Sequence, residues 1–217
     1  MRIVIIGGHG KVAMMATPLL VAGGHQVTSL IRNPQHADEV AATGATPVVA
    51  DVEQLDVDGI ATVLRGHDAV VWSAGAGGGS AERTRAVDRD AAIRSMDAAA
   101  AAGLRRYVMV SYFGAGPDHG VPADNSFHAY AQAKADADTH LRASDLDWTI
   151  LGPSSLTSEP GTGMIEVGDD VSGASVARED VARVVAAVLD HPDTVGTTIE
   201  FNTGSTPIDD AIAAVER

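Results

Sequence analysis

Tyr130-Ala-Gln-Ala-Lys134 sets a phenol and an ammonium four residues apart in a helical stretch, so the two share one helix face. A lysine cation beside a tyrosine favours the phenolate, and this spacing predicts a Tyr130 pKa below the ordinary ~10. A phenol tuned in that way passes a proton to or from a carbonyl or alcohol, the step that must accompany hydride transfer. Ser111 ends an apolar run and is placed to hydrogen-bond the same oxygen. Ser111, Tyr130 and Lys134 are therefore the candidate catalytic residues.

A second chemistry is written at the N-terminus. The apolar residues 3–6 run into Gly7-Gly-His-Gly10 and then into an Ala-rich stretch beginning Lys11-Val-Ala13. Strand, glycine turn and helix form the opening of a dinucleotide-binding unit. Gly7 allows the tight turn, and Gly10 lets backbone approach a pyrophosphate. The helix N-terminus offers that anion N–H groups and a partial positive charge. Ala13 takes the third glycine position, where a small side chain is needed. His9, Lys11 and Val12 fall in or beside the turn.

The residue ending the second strand separates the two nicotinamide dinucleotides. Here it is Arg32, and no Asp or Glu occurs between Ile3 and Gln35. A guanidinium matches a phosphate with paired, charge-assisted hydrogen bonds, so the expected cofactor is NADP(H). Lys11 adds a second cation. Asp51 and Val52, after the third strand, suit the adenine edge and ring face; capping of the helix that follows is the alternative for Asp51. Ser73, Ala74 and Gly75 end the fourth strand and leave room for a ribose.

These residues need a frame. Apolar runs at residues 3–6, 26–31, 46–50, 69–73, 106–111 and 147–151 alternate with helical stretches at 33–43, 54–64, 82–102 and 126–143. The alternation predicts an α/β fold, a doubly wound parallel sheet covered by helices on both faces. Residues 112–125 form a loop rich in Gly, Pro and Asp. After Pro153 the pattern changes to a loop at 157–163, short strands within 164–176, a helix at 179–189, a strand at 198–202 and a helix at 208–215. Residues 153–217 thus read as a small substrate-side elaboration on a core of residues 1–152, within one domain.

Bulk properties narrow the partners. The 217-residue chain is 45% hydrophobic, contains no cysteine and carries a formal net charge of −14. That charge opposes nucleic acid, which demands a basic footprint. Thiol nucleophiles, disulfides and cysteine metal sites are absent. No apolar stretch reaches membrane-span length, and the glycine turn interrupts any signal-type segment. The expectation is a cytoplasmic protein, monomeric or homodimeric, acting on a small molecule.

The same stretches carry a resemblance. Residues 6–13, Leu30-Ile-Arg-Asn-Pro34, Ala50-Asp-Val52, residues 102–111, Trp148-Thr-Ile-Leu-Gly-Pro153, Glu159-Pro-Gly-Thr-Gly163 and residues 177–182 resemble the atypical short-chain dehydrogenase/reductases of the NmrA-like and biliverdin-reductase-B-like group. The resemblance covers nearly the whole chain and implies a Rossmann-like fold with NADP(H) at the glycine turn. It maps cofactor contacts to Gly7, Gly10, Lys11, Val12, Arg32, Asp51 and Ser73 to Gly75, and the active site to Ser111, Tyr130 and Lys134. Pro153 belongs with the cofactor-side residues. The interval of 19 residues from Ser111 to Tyr130 is longer than usual for the group. The implied activity is reduction of a small carbonyl, quinone or flavin-like substrate. The alternatives are a non-catalytic NADP(H)-sensing regulator and an epimerase or dehydratase of sugar nucleotides.

Overall fold

A computed structural model describes residues 1–77, 80–168 and 174–215. Gly78 and Gly79, and part of the strand region expected at 164–176, lie outside the described residues. Strand β1 (Arg2–Ile6) leads through the glycine turn into helix α1 (Lys11–Ala22), followed by β2 (Gln26–Ile31). A 3₁₀ turn at Pro34–His36 and α2 (Ala37–Ala41) precede β3 (Thr46–Val49), α3 (Val57–Leu64) and β4 (Ala69–Trp72). Next come α4 (Ala81–Thr84), a π-helical segment at Arg85–Ala91 and α5 (Ala92–Ala101), which run on as one helix into β5 (Arg106–Val110). Helix α6 (His128–Arg142) and β6 (Asp147–Pro153) complete the expected core.

Among the described residues the sheet has nine strands, and six of them follow the order β3-β2-β1-β4-β5-β6, all parallel, with the order reversing between β1 and β4. Side chains of the central strands alternate between two covered faces. Ile3, Ile5, Val71 and Val108 join one core, and Val4, Ile6, Trp72, Tyr107 and Met109 join the other. Helices α3, α5 and α6 cover the second face. Helix α1 covers the first together with α7 (Arg178–Asp190) and α8 (Ile208–Ala213). Burial on both sides explains why the strands read as apolar runs rather than alternating ones. Among the described residues, no helix is long and apolar enough to cross a membrane.

Beyond the helices α7 and α8, the C-terminal residues also extend the sheet. Strand β10 (Thr197–Thr203) pairs in parallel with β6, and β8 (Met164–Val167) pairs antiparallel with β10 and with β11 (Thr206–Pro207). Strands β7 (Ser155–Thr157) and β9 (Ser175–Ala177) form a separate parallel pair. Helix α3 starts three residues later than expected from residue 54, because Asp56 caps it by accepting the Gly59 N–H at 2.8 Å.

Two polar clusters fasten this extension. The buried Asp180 carboxylate accepts N–H groups of Thr162 (2.9 Å) and Gly163 (2.8 Å) and also faces Arg183 at 2.8 Å. Glu179 accepts Gly161 N–H at 2.9 Å. A Cβ on Gly161 would lie 2.6 Å from the Asp180 carboxylate, so only glycine lets the loop approach α7 this closely. The Glu159-Pro-Gly-Thr-Gly163 stretch is thereby explained by its carboxylate partners.

Arg106 forms the second cluster. Its guanidinium donates to the backbone oxygens of Asp147 (3.0 Å) and Val188 (2.7 Å) and to the hydroxyls of Thr149 (2.9 Å) and Thr194 (3.3 Å). One side chain thus ties β5 to β6, α7 and the turn beyond. Burial lowers its pKa to about 10, so it stays charged at neutral pH.

Candidate active site

The carboxyl ends of the central strands open into one continuous cleft of three cavities, at the point where the strand order reverses, as open α/β sheets require. The first, about 310 Å³, lies over β1, β2 and β4 and is lined by Gly7, His9, Gly10, Arg32, Asp51, Val52, Glu53, Ser73 to Gly77 and Arg83, among others. The second, about 520 Å³, shares Gly10 and Ser73 to Gly77 with it and adds Lys11, Val12, Asp88, Ser111, Tyr130 and Lys134. The third, about 510 Å³, shares Ser111, Phe127, Tyr130 and Leu156 with the second and adds Tyr112, Phe113, Pro153 and Ser154.

The glycine turn is shaped by steric demand. Gly7 has φ +87°, and a Cβ there would lie 2.6 Å from the Ala74 backbone. A Cβ on Gly8 would lie 2.4 Å from Cβ of Ser29. Gly10 N–H donates to Gly7 O at 2.8 Å, which closes the turn and starts α1. No side chain caps that helix, and its first turn holds no acidic residue. The first-turn N–H groups and the dipole therefore face the cleft with no carboxylate of their own helix against them. This donor set suits a pyrophosphate, so the residues fit a dinucleotide.

At the adenosine end, the Arg32 guanidinium reaches the Glu53 carboxylate at 3.0 Å. His9 stacks on His36 at 3.7 Å between ring centroids and faces Glu39 at 2.8 Å. Asp51 is not the cap of α3; that role belongs to Asp56. Its carboxylate instead accepts Glu53 N–H at 3.0 Å on the cavity wall. Val12 and Val52 are buried, on the second and first cavities respectively. Pro153 lines the third cavity together with Ser111 and Tyr130, which also line the second.

Ser111, Tyr130 and Lys134 do converge on the second cavity, but their electrostatics differ from expectation. Lys134 is buried and donates to Val110 O at 2.9 Å and to the Met109 sulfur at 3.2 Å. Burial lowers its pKa, against the opposing pull of Asp138 and Asp88. The Tyr130 phenol is pushed up rather than down, by burial first and then by the Asp88 and Asp138 carboxylates and Tyr112. The acidification expected from Lys134 is not seen: burial, then the two carboxylates, set the direction, and the Lys134 ammonium is spent on Val110 O and the Met109 sulfur. Tyr130 is thus held protonated. Ser111 Oγ donates to Asp138, whose other oxygen has no hydrogen-bond partner among the described residues; burial raises the Asp138 pKa.

Several site residues escaped the sequence reading. Asp138 stands four residues after Lys134 and eight after Tyr130, so the same helical stripe carries it and the spacing could have revealed it. Asp88 accepts Ala76 N–H at 3.1 Å from the π-helical segment, and Arg83 donates to Ala76 O at 2.7 Å. Neither had a local signal. The aromatic wall of Tyr112, Phe127 and Tyr130, with centroids 5.2 to 5.6 Å apart, also assembles only in the fold.

With this geometry in place, comparison with known proteins is direct. The family described as NAD(P)H-binding matches residues 7–192, and the chain belongs to it. It is 33% identical over 214 residues to the Bacillus subtilis protein named as the uncharacterized sugar epimerase YhfK, covering 98% of this chain and 99% of that one. A solved structure from Bacillus halodurans, provisionally named as an NAD-dependent epimerase/dehydratase, superposes with a TM-score of 0.92 at 33% identity, covering 99% of this chain and 100% of that one. The oxidoreductase ylbE of Lactococcus lactis superposes with a TM-score of 0.88 at 29% identity, covering 99% and 96%.

Proposed function

We propose that the protein is an NADP(H)-dependent oxidoreductase that reduces a small uncharged carbonyl, quinone or flavin-like substrate by hydride transfer. The observation that carries this reading is the position of Tyr130, on the wall common to the cavity under the glycine turn and the aromatic cavity beside it. In this reading the first-turn N–H groups and Lys11 face the pyrophosphate, and Arg32 takes the 2′-phosphate of the adenosine ribose. Bound NADPH supplies the hydride. Tyr130, kept protonated by burial, donates the proton that neutralises the developing alkoxide. Ser111 orients the same oxygen, and Lys134 holds the floor beneath it through Val110.

Names among the relatives favour a second reading, epimerisation of a sugar nucleotide. The third cavity argues against it. A sugar nucleotide carries a diphosphate, which needs cations or a helix N-terminus. Among the described residues, that cavity is lined by aromatic, apolar and serine side chains with no Lys, Arg or His. Phe127 and Leu156 are exposed at its mouth, which suits an apolar molecule.

The test is NADPH oxidation measured with menadione, riboflavin and an aromatic aldehyde, beside incubation with UDP-glucose. Turnover of one of the uncharged or flavin acceptors, with UDP-glucose untouched, is the expected result. Conversion of UDP-glucose with no net NADPH oxidation would overturn it.

A further inference from the structure

The adenosine end of the cleft already holds an anion of the protein's own. Glu53 Oε1 lies 3.0 Å from Arg32 Nη1 and 3.2 Å from Arg83 Nη2. The two guanidiniums come from distant parts of the chain, the end of β2 and helix α4, and this single carboxylate oxygen joins them. Both line the first cavity together with Glu53. Arg83 is fixed from the other side by its bond to Ala76 O. Glu53 is itself fixed through Asp51, which accepts its N–H, and its side chain is only 19% exposed. A carboxylate bridging two arginines copies the contacts a phosphate oxygen makes with such a pair.

We propose that Glu53 is a resident stand-in for the 2′-phosphate, bridging Arg32 and Arg83, and that NADP is selected over NAD only as far as that phosphate displaces it. The proposal rests on the NADP(H) reading of the site. It makes Arg83 a second phosphate-binding cation and Glu53 a specificity-determining residue that works against the phosphate. With Glu53 charged, the three side chains sum to one positive charge. Without that charge they sum to two, and both guanidiniums are free to turn to a dianion.

The experiment is calorimetric titration of the wild-type protein, Glu53→Gln, Arg83→Ala and the double variant, using NADPH, NADH, adenosine 2′,5′-bisphosphate and AMP as probes. Gln keeps the size of the side chain, and thermal melting of each variant checks the fold. Glu53→Gln is expected to tighten NADPH and adenosine 2′,5′-bisphosphate about tenfold while NADH and AMP change less than about threefold. Arg83→Ala is expected to weaken the two phosphorylated probes about tenfold and to abolish most of the gain in the double variant. Unchanged or weaker NADPH binding in Glu53→Gln overturns the proposal. Selective loss of NADH there also overturns it, since Glu53 would then be serving the ribose hydroxyls. If the wild type binds NADH at least as tightly as NADPH, the NADP(H) reading fails by itself. Glu53→Gln then still decides this proposal, by creating or not creating a preference for the 2′-phosphate.

Discussion

Tyr130→Phe is expected to lower kcat for reduction of a carbonyl or quinone acceptor by about 10²- to 10⁴-fold, the range general acid catalysis supplies. NADPH affinity should stay within about threefold of wild type, because the lost atom is a proton donor rather than a cofactor anchor. The phenol is held above its ordinary ~10 by burial and by two carboxylates, so it stays protonated throughout the neutral range. The sign follows directly. A raised pKa keeps the acid form present as pH rises, so reductive turnover should show no alkaline loss from this group until well past neutrality. Tyr112→Phe is the control: its ring lies 5.6 Å from that of Tyr130, yet its hydroxyl is buried without a partner. That variant should retain most turnover. Steady-state assays of both variants across pH check the assignment. Equal losses, or intact turnover in Tyr130→Phe, would remove Tyr130 from the chemistry.

Arg106→Met is expected to cost on the order of 3 kcal/mol of stability, since it strips hydrogen bonds from two backbone oxygens and two threonine hydroxyls. For a chain of this length that corresponds to a fall in Tm of roughly 6–12 °C. Arg106→Lys should recover little. An ammonium is one point charge, whereas these acceptors lie on different elements and match a planar fork. Thermal melts of the two variants decide the matter. A Met variant melting within about 2 °C of wild type would mean the clamp contributes little.

The parallel core was readable because strands covered on both faces must be apolar along their length, and residues 3–6, 69–72 and 107–110 are. The glycine turn was readable because its spacing answers a backbone demand, which the Gly7 geometry makes concrete. The role of residues after Pro153 was not readable as sheet extension. Pairing of β10 with β6 joins segments tens of residues apart, and nothing local records it. The same limit applied at the site. Tyr130 and Lys134 declared themselves by spacing, but the sign of their electrostatics depended on Asp88, which arrives from another helix. Arg32 was visible at the end of its strand, while its neighbours Glu53 and Arg83 had no common motif.

The role proposed for Arg32 is to hold the 2′-phosphate of NADP(H) in this cleft. The most direct measurement is the Kd of the wild-type protein and of Arg32→Ala for NADPH and for NADH, at one salt concentration. Wild type is expected to bind NADPH at least about tenfold tighter than NADH, and Arg32→Ala is expected to remove most of this preference while leaving NADH binding unchanged. NADH bound as tightly as NADPH by the wild type, with both unaffected by Arg32→Ala, would contradict it.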